Sequence, residues 1–313
     1  MRATATPLDK VLAQHLSAAI AHVDQVVLGK PRQVRLAFAC LLSGGHLLIE
    51  DVPGVGKTTL VHALADTLAL DFRRIQFTSD MLPSDITGVS IYARDQQRFQ
   101  FHPGPVFCQL LLADEINRAS PRTQSALLEA MAEHQVTVDG ASMALPAPFH
   151  VIATQNPMDG DGAHALPDSQ LDRFLFRISM GYPDPAAERA LLDGHGGRSP
   201  AQPAPASLDP DQLRQLSAHA ADLLASPALI DYIQALLTAS RQRDDLRTGL
   251  SPRAGLALLA GSRAWALLAG RDHVLPEDVQ AVFPAIASHR LISLLGVAGT
   301  EIAGQLLAGV AIP

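Results

Sequence analysis

The sequence predicts an α/β fold in which a five-stranded parallel sheet carries β-hairpin insertions and is followed by a small all-helical domain. Two patterns lead to this prediction. Short apolar runs that are typical of buried strands alternate with segments of helical periodicity up to about residue 183. Beyond that point no run of comparable strand character follows, and the apolar residues recur at helical spacing.

The length and composition of the chain fit two compact domains. Of its 313 residues, 48% are hydrophobic, so a large core can form and wholesale disorder is excluded. We predict an N-terminal helix plus α/β domain over residues 1–185 and a helical domain over residues 186–313. The net charge is −7 without any block of Lys or Arg, which argues against a general binder of nucleic acid or of anionic membranes.

Periodicity and flanking residues define the individual elements. The predicted strands are residues 47–49, 72–77, 110–113, 151–154 and 174–180, with hairpins at 88–101 and 135–149. The predicted helices are residues 8–27, 34–42, 59–69, one that opens at Ser120 and Pro121, 211–224, 228–241, 253–268 and 277–288. Residues 194–210 form a connector rich in Gly, Pro and Ala.

Cysteine usage and hydropathy indicate a cytoplasmic protein without a membrane span. Cys40 and Cys108 lie in apolar stretches without metal-ligand spacing, which predicts buried, reduced thiols. The N-terminus lacks the apolar core of a signal peptide, and no apolar run reaches the roughly 18 residues that a span needs. The tail from Leu291 is interrupted by polar residues, so we expect a packed terminal helix there.

The stretch from Asp51 to Thr59 joins the first predicted strand to the helix that follows and reads Asp-Val-Pro-Gly-Val-Gly-Lys-Thr-Thr. A strand, a glycine-rich turn ending in Gly-Lys-Thr and a helix form the context that a phosphate-binding loop requires. Backbone N–H groups converge on an anion there, Lys57 can reach the β- and γ-phosphates, and the Thr58 hydroxyl can ligate Mg²⁺. The first glycine of the usual pattern is replaced by Asp51.

Polar side chains also follow two later strands. Asp114 and Glu115 come directly after the apolar run 110–113, so both are expected to face the crevice at the carboxyl edge of the sheet. We expect Asp114 to hold Mg²⁺ and Glu115 to activate or orient an attacking water. Asn156 ends the next strand and is expected to hydrogen-bond that water or the γ-phosphate.

Two arginines stand out by their positions. Arg173 precedes the fifth strand, and in a ring of subunits it could reach the γ-phosphate of a neighbour. Arg253 begins a helix, where the helix dipole disfavours a cation, so a functional role is favoured. Arg118 and Arg122 lie close enough to Glu115 in the chain to compete for the role in trans, although we prefer Arg173. Whether Arg253 acts within its own subunit or on a neighbour stays open.

In this order and spacing, the motifs resemble the Walker A, Walker B, sensor 1, arginine finger and sensor 2 motifs of AAA+ ATPases. The sequence is more closely similar to the MoxR family, within the helix-2-insert group. The stretches that carry the resemblance are residues 50–58, 82–88, 114–121, 127–131, 153–157 and 171–174. It runs from about residue 29 to the C-terminus, and the connector and residues 161–164 are less typical of the family.

The resemblance implies a ring-forming, usually hexameric ATPase that uses ATP and Mg²⁺ and acts as a chaperone-like maturation factor. Its usual partners carry von Willebrand factor A domains. The nucleotide contacts that it implies are Pro53, Gly54, Val55, Gly56, Lys57, Thr58, Thr59, Asp114 and, near the adenine, Gly29. The catalytic residues that it implies are Glu115, Asn156, Arg173 and Arg253, with Thr58 and Asp114 at the metal.

Three other functions are compatible with the same motifs. The protein could be a nucleic-acid motor, a metal-chelatase-type motor subunit or a low-turnover switch gated by ATP. A hairpin that grips DNA should carry Lys or Arg, yet the second predicted hairpin has neither and the first has only Arg94 and Arg98. Tyr92, Phe99 and Phe101 of the first hairpin suit apolar protein segments better, so we favour a protein substrate.

Overall fold

The computed structural model describes residues 8–157, 164–194 and 208–312. Its strands are β1 (Leu47–Glu50), β2 (Phe72–Gln76), β3 (Gly88–Ala93), β4 (Arg98–Pro103), β5 (Leu110–Asp114), β6 (Gln135–Val138), β7 (Ala141–Ala144), β8 (His150–Gln155) and β9 (Phe176–Ile178). Five of these strands pair in parallel in the order β2-β5-β8-β1-β9, while β3 with β4 and β6 with β7 form antiparallel hairpins. The predicted five-stranded parallel sheet with two hairpin insertions is confirmed.

Helices cover the sheet and make up the C-terminal region. They are α1 (Lys10–Val26), α2 (Pro31–Leu42), α3 (Lys57–Thr67), α4 (Pro83–Thr87), α5 (Pro121–Glu133), α6 (Asp168–Leu171), α7 (Pro185–Leu192), α8 (Pro210–Asp222), α9 (Pro227–Arg241), α10 (Pro252–Leu268), α11 (Pro276–Ala287) and α12 (Gly299–Gly309). Most of them begin at a proline, whose fixed φ suits the first helical position. Several begin one to three residues before the predicted start, because apolar periodicity does not register a proline in the first turn.

The last strand of the sheet is shorter than predicted. Residues 174–180 alternate like a strand, but only Phe176–Ile178 pair with β1. Beyond them, the hydroxyl of Ser179 and the backbone N–H of Gly181 donate to the carboxylate of Asp51, so the chain leaves the sheet. The prediction of a strand over residues 174–180 was therefore wrong at both ends. At the carboxyl end the reason is that the side chain of Asp51 binds Ser179 and Gly181 and draws the chain away from β1.

The C-terminal helices pack directly against the sheet domain. Helix α10 contacts α2. Gly261 of α10 lies so close to its neighbours that an added Cβ would be 2.7 Å from the Ile286 side chain and 3.0 Å from the ring of Phe176 in β9. On the same side, the guanidinium of Arg35 lies 4.9 Å from the ring centroid of Trp265. The domain boundary at residues 185 and 186 falls at the start of α7 and stays a prediction, and residues 195–207 of the connector lie outside the described residues.

Two cysteines are buried and free, as expected from the apolar stretches around them. Burial raises the pKa of the Cys108 thiol to about 12, so this group is an apolar core residue and not a reactive thiolate. In the part of the chain that the structure describes, we find no helix with the length and apolar character needed to cross a membrane.

Two buried histidines lie where β1 and β8 begin. His46 Nε2 lies 3.1 Å from the carbonyl oxygen of Met131, and its Nδ1 accepts the N–H of Val151 at 3.0 Å. This arrangement requires the neutral ring, because a protonated Nδ1 cannot accept a hydrogen bond. Burial, with the nearby His150, lowers the pKa of His46 to about 3, and burial lowers the pKa of His150 to about 4.

The free energy of unfolding is therefore expected to fall as the pH is lowered from about 6.5 to about 4. In that window an unfolded histidine binds a proton that the buried one does not, which costs up to about 1.4 kcal/mol per pH unit for each histidine. Above about pH 6.5 both states are neutral and the dependence vanishes. The variant His46→Asn keeps an acceptor for the N–H of Val151 but no longer titrates. When the free energy of unfolding is measured by urea unfolding at several pH values in this window, it should depend less steeply on pH in the variant than in wild type. The exposed His62→Asn serves as the control, and an unchanged slope in His46→Asn would contradict the assignment.

Candidate active site

The topology of the sheet brings three motifs to one edge. Strands β5, β8 and β1 are neighbours and run parallel, so their carboxyl ends lie side by side. The loop from Asp51 to Lys57 follows β1, Glu115 follows β5 and Asn156 follows β8. This edge is where open α/β sheets bind ligands.

The loop after β1 has the backbone shape of an anion cradle. Gly54 and Gly56 adopt φ values of 84° and 91°, a region that glycine enters without strain. Helix α3 begins immediately at Lys57, so its free N–H groups and its dipole face the loop. The ammonium of Lys57 donates to the carbonyl oxygen of Asp51 at 2.6 Å, which ties the two ends of the loop together.

Asp51, which departs from the usual glycine, anchors the loop. Its carboxylate accepts from the N–H of Val52 at 2.8 Å, from the hydroxyl of Ser179 at 2.7 Å and from the N–H of Gly181 at 2.6 Å. Burial raises the pKa of Asp51, but these hydrogen bonds outweigh it and hold the pKa below its ordinary value. A glycine could not link the loop to the segment that leaves β9.

The same segment reaches the residues after α1. The buried ammonium of Lys30 donates to the carbonyl oxygen of Tyr182 at 2.6 Å. Gly29 has a φ of 71°, and a Cβ at this position would lie 2.7 Å from the Cβ of Ala187, so only glycine fits. Through Asp51, the phosphate loop and the region of Gly29 are thus held to one common segment.

The two carboxylates at the carboxyl end of β5, Asp114 and Glu115, have partners that the sequence does not reveal. Asp114 forms an ion pair with Arg74 on β2 at 2.7 Å and accepts from the buried hydroxyl of Thr154 at 2.5 Å. Glu115 has a left-handed φ of 56°, and its Oε2 lies 2.7 Å from Nε2 of Gln76 and 3.1 Å from Nε of Arg118. These contacts orient both carboxylates and neutralise part of their charge.

The variant Thr154→Val tests this arrangement, because it keeps the shape of the side chain and removes its hydroxyl. That hydroxyl also accepts the N–H of Glu115 at 2.9 Å, so both carboxylate residues lose a partner. We expect Mg²⁺-dependent turnover to fall about 10- to 100-fold, as for other groups that orient metal ligands. The free energy of unfolding should fall by about 1–3 kcal/mol. Thr154→Ser is the matched control, and a valine variant with the Mg²⁺ dependence of wild type would contradict the role.

The donor groups at this edge fit Mg²⁺. Thr58 and Asp114 offer a hydroxyl and a carboxylate oxygen, which are hard ligands of the kind that Mg²⁺ prefers. Among the described residues no group of three or more His, Cys, Asp or Glu side chains could hold a metal by itself. Mg²⁺ is commonly bound by one or two protein oxygens together with phosphate oxygens and water, so this sparse set suits it.

Arg173 and Arg253 lie at the opposite end of the sheet. Arg173 precedes β9, and its Nη1 donates to the carbonyl oxygen of Leu128 at 2.6 Å. Both arginines line a cavity of about 310 Å³ together with Gly45 and His46, which precede β1. The phosphate loop lies beyond the other end of β1, roughly 10 Å or more along the strand at about 3.3 Å per residue. The structure therefore does not bring either arginine to the phosphate loop of its own chain.

The hairpins expose an apolar surface. Phe99 is 71% exposed and Tyr92 is 50% exposed, and their rings pack edge to face with centroids 5.4 Å apart. Phe101 is only partly exposed because its ring packs against that of Phe107, with centroids 5.7 Å apart. A cavity of about 390 Å³ lies between the two hairpins, with Phe99, Phe101 and Met143 among its lining residues.

Comparisons with known proteins identify the family of the chain. Residues 46–176 match the ATPase family associated with various cellular activities (AAA), and residues 238–303 match the AAA lid domain. The chain is 42% identical to the YeaC protein of Bacillus subtilis over 95% of both chains. It is 40% identical to Chaperone MoxR1 of Mycobacterium tuberculosis over 93% of this chain and 79% of that one. A solved structure from Cytophaga hutchinsonii, 34% identical, superposes with a TM-score of 0.86 over 96% of each chain. The chain therefore belongs to the MoxR family of AAA+ ATPases.

Proposed function

We propose that the protein is a ring-forming, usually hexameric ATPase that couples hydrolysis of ATP to chaperone-like remodelling or maturation of protein partners. The observation that carries the proposal is the division of the candidate groups between the two ends of the sheet. The phosphate loop, Asp114, Glu115 and Asn156 lie at one end, and Arg173 and Arg253 lie at the other. A single chain therefore holds two halves of a site, which a ring of identical subunits can join.

At the carboxyl edge, the N–H groups of residues 54–59 and the ammonium of Lys57 bind the phosphates of ATP. Thr58 and Asp114 hold Mg²⁺, which when bound neutralises phosphate charge. Glu115 takes the proton of the attacking water, and Asn156 hydrogen-bonds the same water or the γ-phosphate. Gly29 borders the adenine, where the close approach of Ala187 leaves no room for a side chain.

At the other edge, Arg173 and Arg253 act on the γ-phosphate that the neighbouring subunit holds. Their guanidinium groups stabilise the charge that develops during phosphoryl transfer. Arg118, which with Arg122 is one of the two alternatives in trans, is held 3.1 Å from the Glu115 carboxylate of its own chain, which favours a role of Arg118 at that edge instead. Both Arg173 and Arg253 therefore act in trans in this proposal.

The partner is a protein, with von Willebrand factor A domain proteins as the proposed class, and the site of action is the cytoplasm. The exposed Phe99 and Tyr92 suit an apolar polypeptide segment, and the hairpins offer few cations to a nucleic-acid backbone. The relative that is 40% identical carries the name of a chaperone, which supports the same class. The buried, free thiols support a reducing compartment.

Steady-state ATPase activity against protein concentration tests the shared site. Turnover per subunit should rise with concentration as rings form. Glu115→Gln should bind ATP without hydrolysing it, and Arg173→Ala should bind ATP but lose most of its turnover. When the two are mixed, activity should return in part, because Glu115→Gln subunits lend their arginines to the intact nucleotide sites of Arg173→Ala subunits.

Concentration-independent turnover that survives Arg173→Ala would contradict the shared site. ATP binding without measurable turnover in wild type, with every partner tested, would instead indicate a nucleotide-gated switch. Stimulation of turnover by single-stranded DNA but not by von Willebrand factor A domain proteins would favour the nucleic-acid motor.

A further inference from the structure

A residue just after α11 binds the turn that carries Arg173. Arg290, two residues after the cap of this helix, donates from Nε to Oδ1 of Asp172 at 2.7 Å. Its Nη2 donates to the carbonyl oxygens of Asp172 at 3.1 Å and Phe174 at 2.9 Å. Its Nη1 donates to the carbonyl oxygens of Leu175 at 3.3 Å and of Ile286 in α11. One side chain thus binds the backbone on both sides of Arg173.

Burial separates the role of this arginine from that of its neighbours. The side chain of Arg290 is only 8% exposed, whereas that of Arg253 is 67% exposed. Arg290 therefore cannot reach another subunit, but Arg253 can. A buried guanidinium whose N–H groups are all hydrogen-bonded holds its acceptors in fixed positions, because the group is planar and its N–H directions are rigid.

Asp172 connects the buried Arg290 to the exposed Arg253. One oxygen of its carboxylate accepts from Arg290, and the other lies 4.0 Å from Nη1 of Arg253. The turn that Arg290 holds therefore places the backbone of Arg173 and also offers a charge that attracts Arg253. Arg173, Arg253 and Arg290 line the same cavity, of about 310 Å³.

We propose that Arg290 is a positioning residue for ATP hydrolysis: it holds the turn at residues 172–175 so that Arg173 and Arg253 face one space and act together on the phosphates of a neighbouring subunit. This inference rests on the proposed function. It also means that the helical region, through α11, sets the geometry of the arginines that the subunit donates.

The variant Arg290→Lys keeps the charge and removes the fork. A misplacement of about 1 Å can cost about 10²-fold in rate, so we expect turnover of the variant alone to fall about 10²-fold. Its affinity for ATP should stay within about twofold of wild type, because its own phosphate loop is untouched. Mixing it with Glu115→Gln should restore activity in part. Mixing it with Arg173→Ala should restore none, because neither variant then donates working arginines.

Two further variants keep the test sharp. Arg243→Lys is the matched control, because Arg243 also lies in the helical region and binds Asp245 through two donors, at 2.8 Å and 2.6 Å, away from the cavity. It should keep the turnover of wild type. Asp172→Asn retains the size of the side chain and removes the shared charge, so it should show the same mixing pattern as Arg290→Lys if that variant folds poorly.

The outcomes distinguish failure of the shared nucleotide site from failure of the positioning role of Arg290. If wild type gains no turnover with concentration, or Glu115→Gln restores nothing to Arg173→Ala, the proposed shared site fails. If those controls behave as expected but Arg290→Lys and Asp172→Asn both keep the turnover of wild type, the positioning role is overturned. It is equally overturned if a variant that folds like wild type loses ATP affinity in parallel with turnover, or restores activity to Arg173→Ala.

Discussion

Replacing Arg173 with alanine is expected to lower turnover about 10³-fold or more while leaving the affinity for ATP close to that of wild type. An arginine that stabilises the transferring phosphoryl group contributes roughly 10³ to 10⁵ in turnover. Its affinity effect should be small because Arg173 lies beside Gly45 and His46, at the end of β1 away from the phosphate loop of its own chain. Turnover measured with saturating ATP, together with a direct nucleotide-binding titration, checks both halves of the expectation.

Arg214→Ala is the matched control for this substitution. Arg214 forms an exposed ion pair with Asp211 on α8, so its loss should leave turnover and stability nearly unchanged. Arg118→Ala provides the comparison with the alternative arginine, and it should act on the site that contains its own Glu115. The assignment of the donated arginine is wrong if Arg173→Ala binds ATP much more weakly than wild type. It is also wrong if mixing with Glu115→Gln restores turnover to Arg118→Ala but not to Arg173→Ala.

Replacing Lys57 with methionine should weaken ATP binding and reduce turnover about 10²-fold or more. Lys57 is the first residue of α3, and its ammonium lies at the mouth of a loop whose two glycines have positive φ values. Methionine retains an unbranched apolar stem and removes the charge. Charged donors aimed at phosphate oxygens typically contribute about 10² to 10³ in rate when charge develops on those oxygens. Nucleotide affinity and single-turnover rates measure the two effects separately.

The same substitution at Lys10 controls for the loss of a lysine as such. Lys10 is exposed at the start of α1, far along the chain from the phosphate loop, and Lys10→Met should behave as wild type. Lys57→Met and Arg173→Ala together distinguish the two ends of the sheet. Lys57→Met should fail at binding and Arg173→Ala at turnover, so Lys57→Met with unchanged ATP affinity would contradict the proposed cradle.

Much of the fold could be predicted because each of its signals is local. The apolar run before Asp114 predicts a buried strand, and β5 is buried along its whole length. Gly54 and Gly56 mark the turn before α3, and Ser120 caps α5 through the N–H of Thr123, as its Ser-Pro pair predicts. These features depend on residues a few positions apart.

The partners of the site residues could not be predicted, because they are far apart in the chain. Thr154 reaches Asp114 across 40 positions, and Ser179 reaches Asp51 across 128. A threonine at a strand end and a serine after a strand are common, so neither residue type signals a partner. The last strand was predicted too long for the same reason, since alternation does not reveal that Asp51 captures the chain beyond Ile178.

The sequence by itself determined the α/β class, the phosphate loop and the family, and it placed Asp114, Glu115 and Asn156 after strands. Because the carboxyl ends of parallel strands meet at one edge, any side chains in such positions converge there. Only the tertiary structure decided where the arginines lie. Arg173 comes before a strand, and Arg253 begins a helix whose position depends on how α10 packs against α2 and how Arg290 binds the turn at Asp172. Those contacts join distant segments, so no local pattern in the chain encodes them.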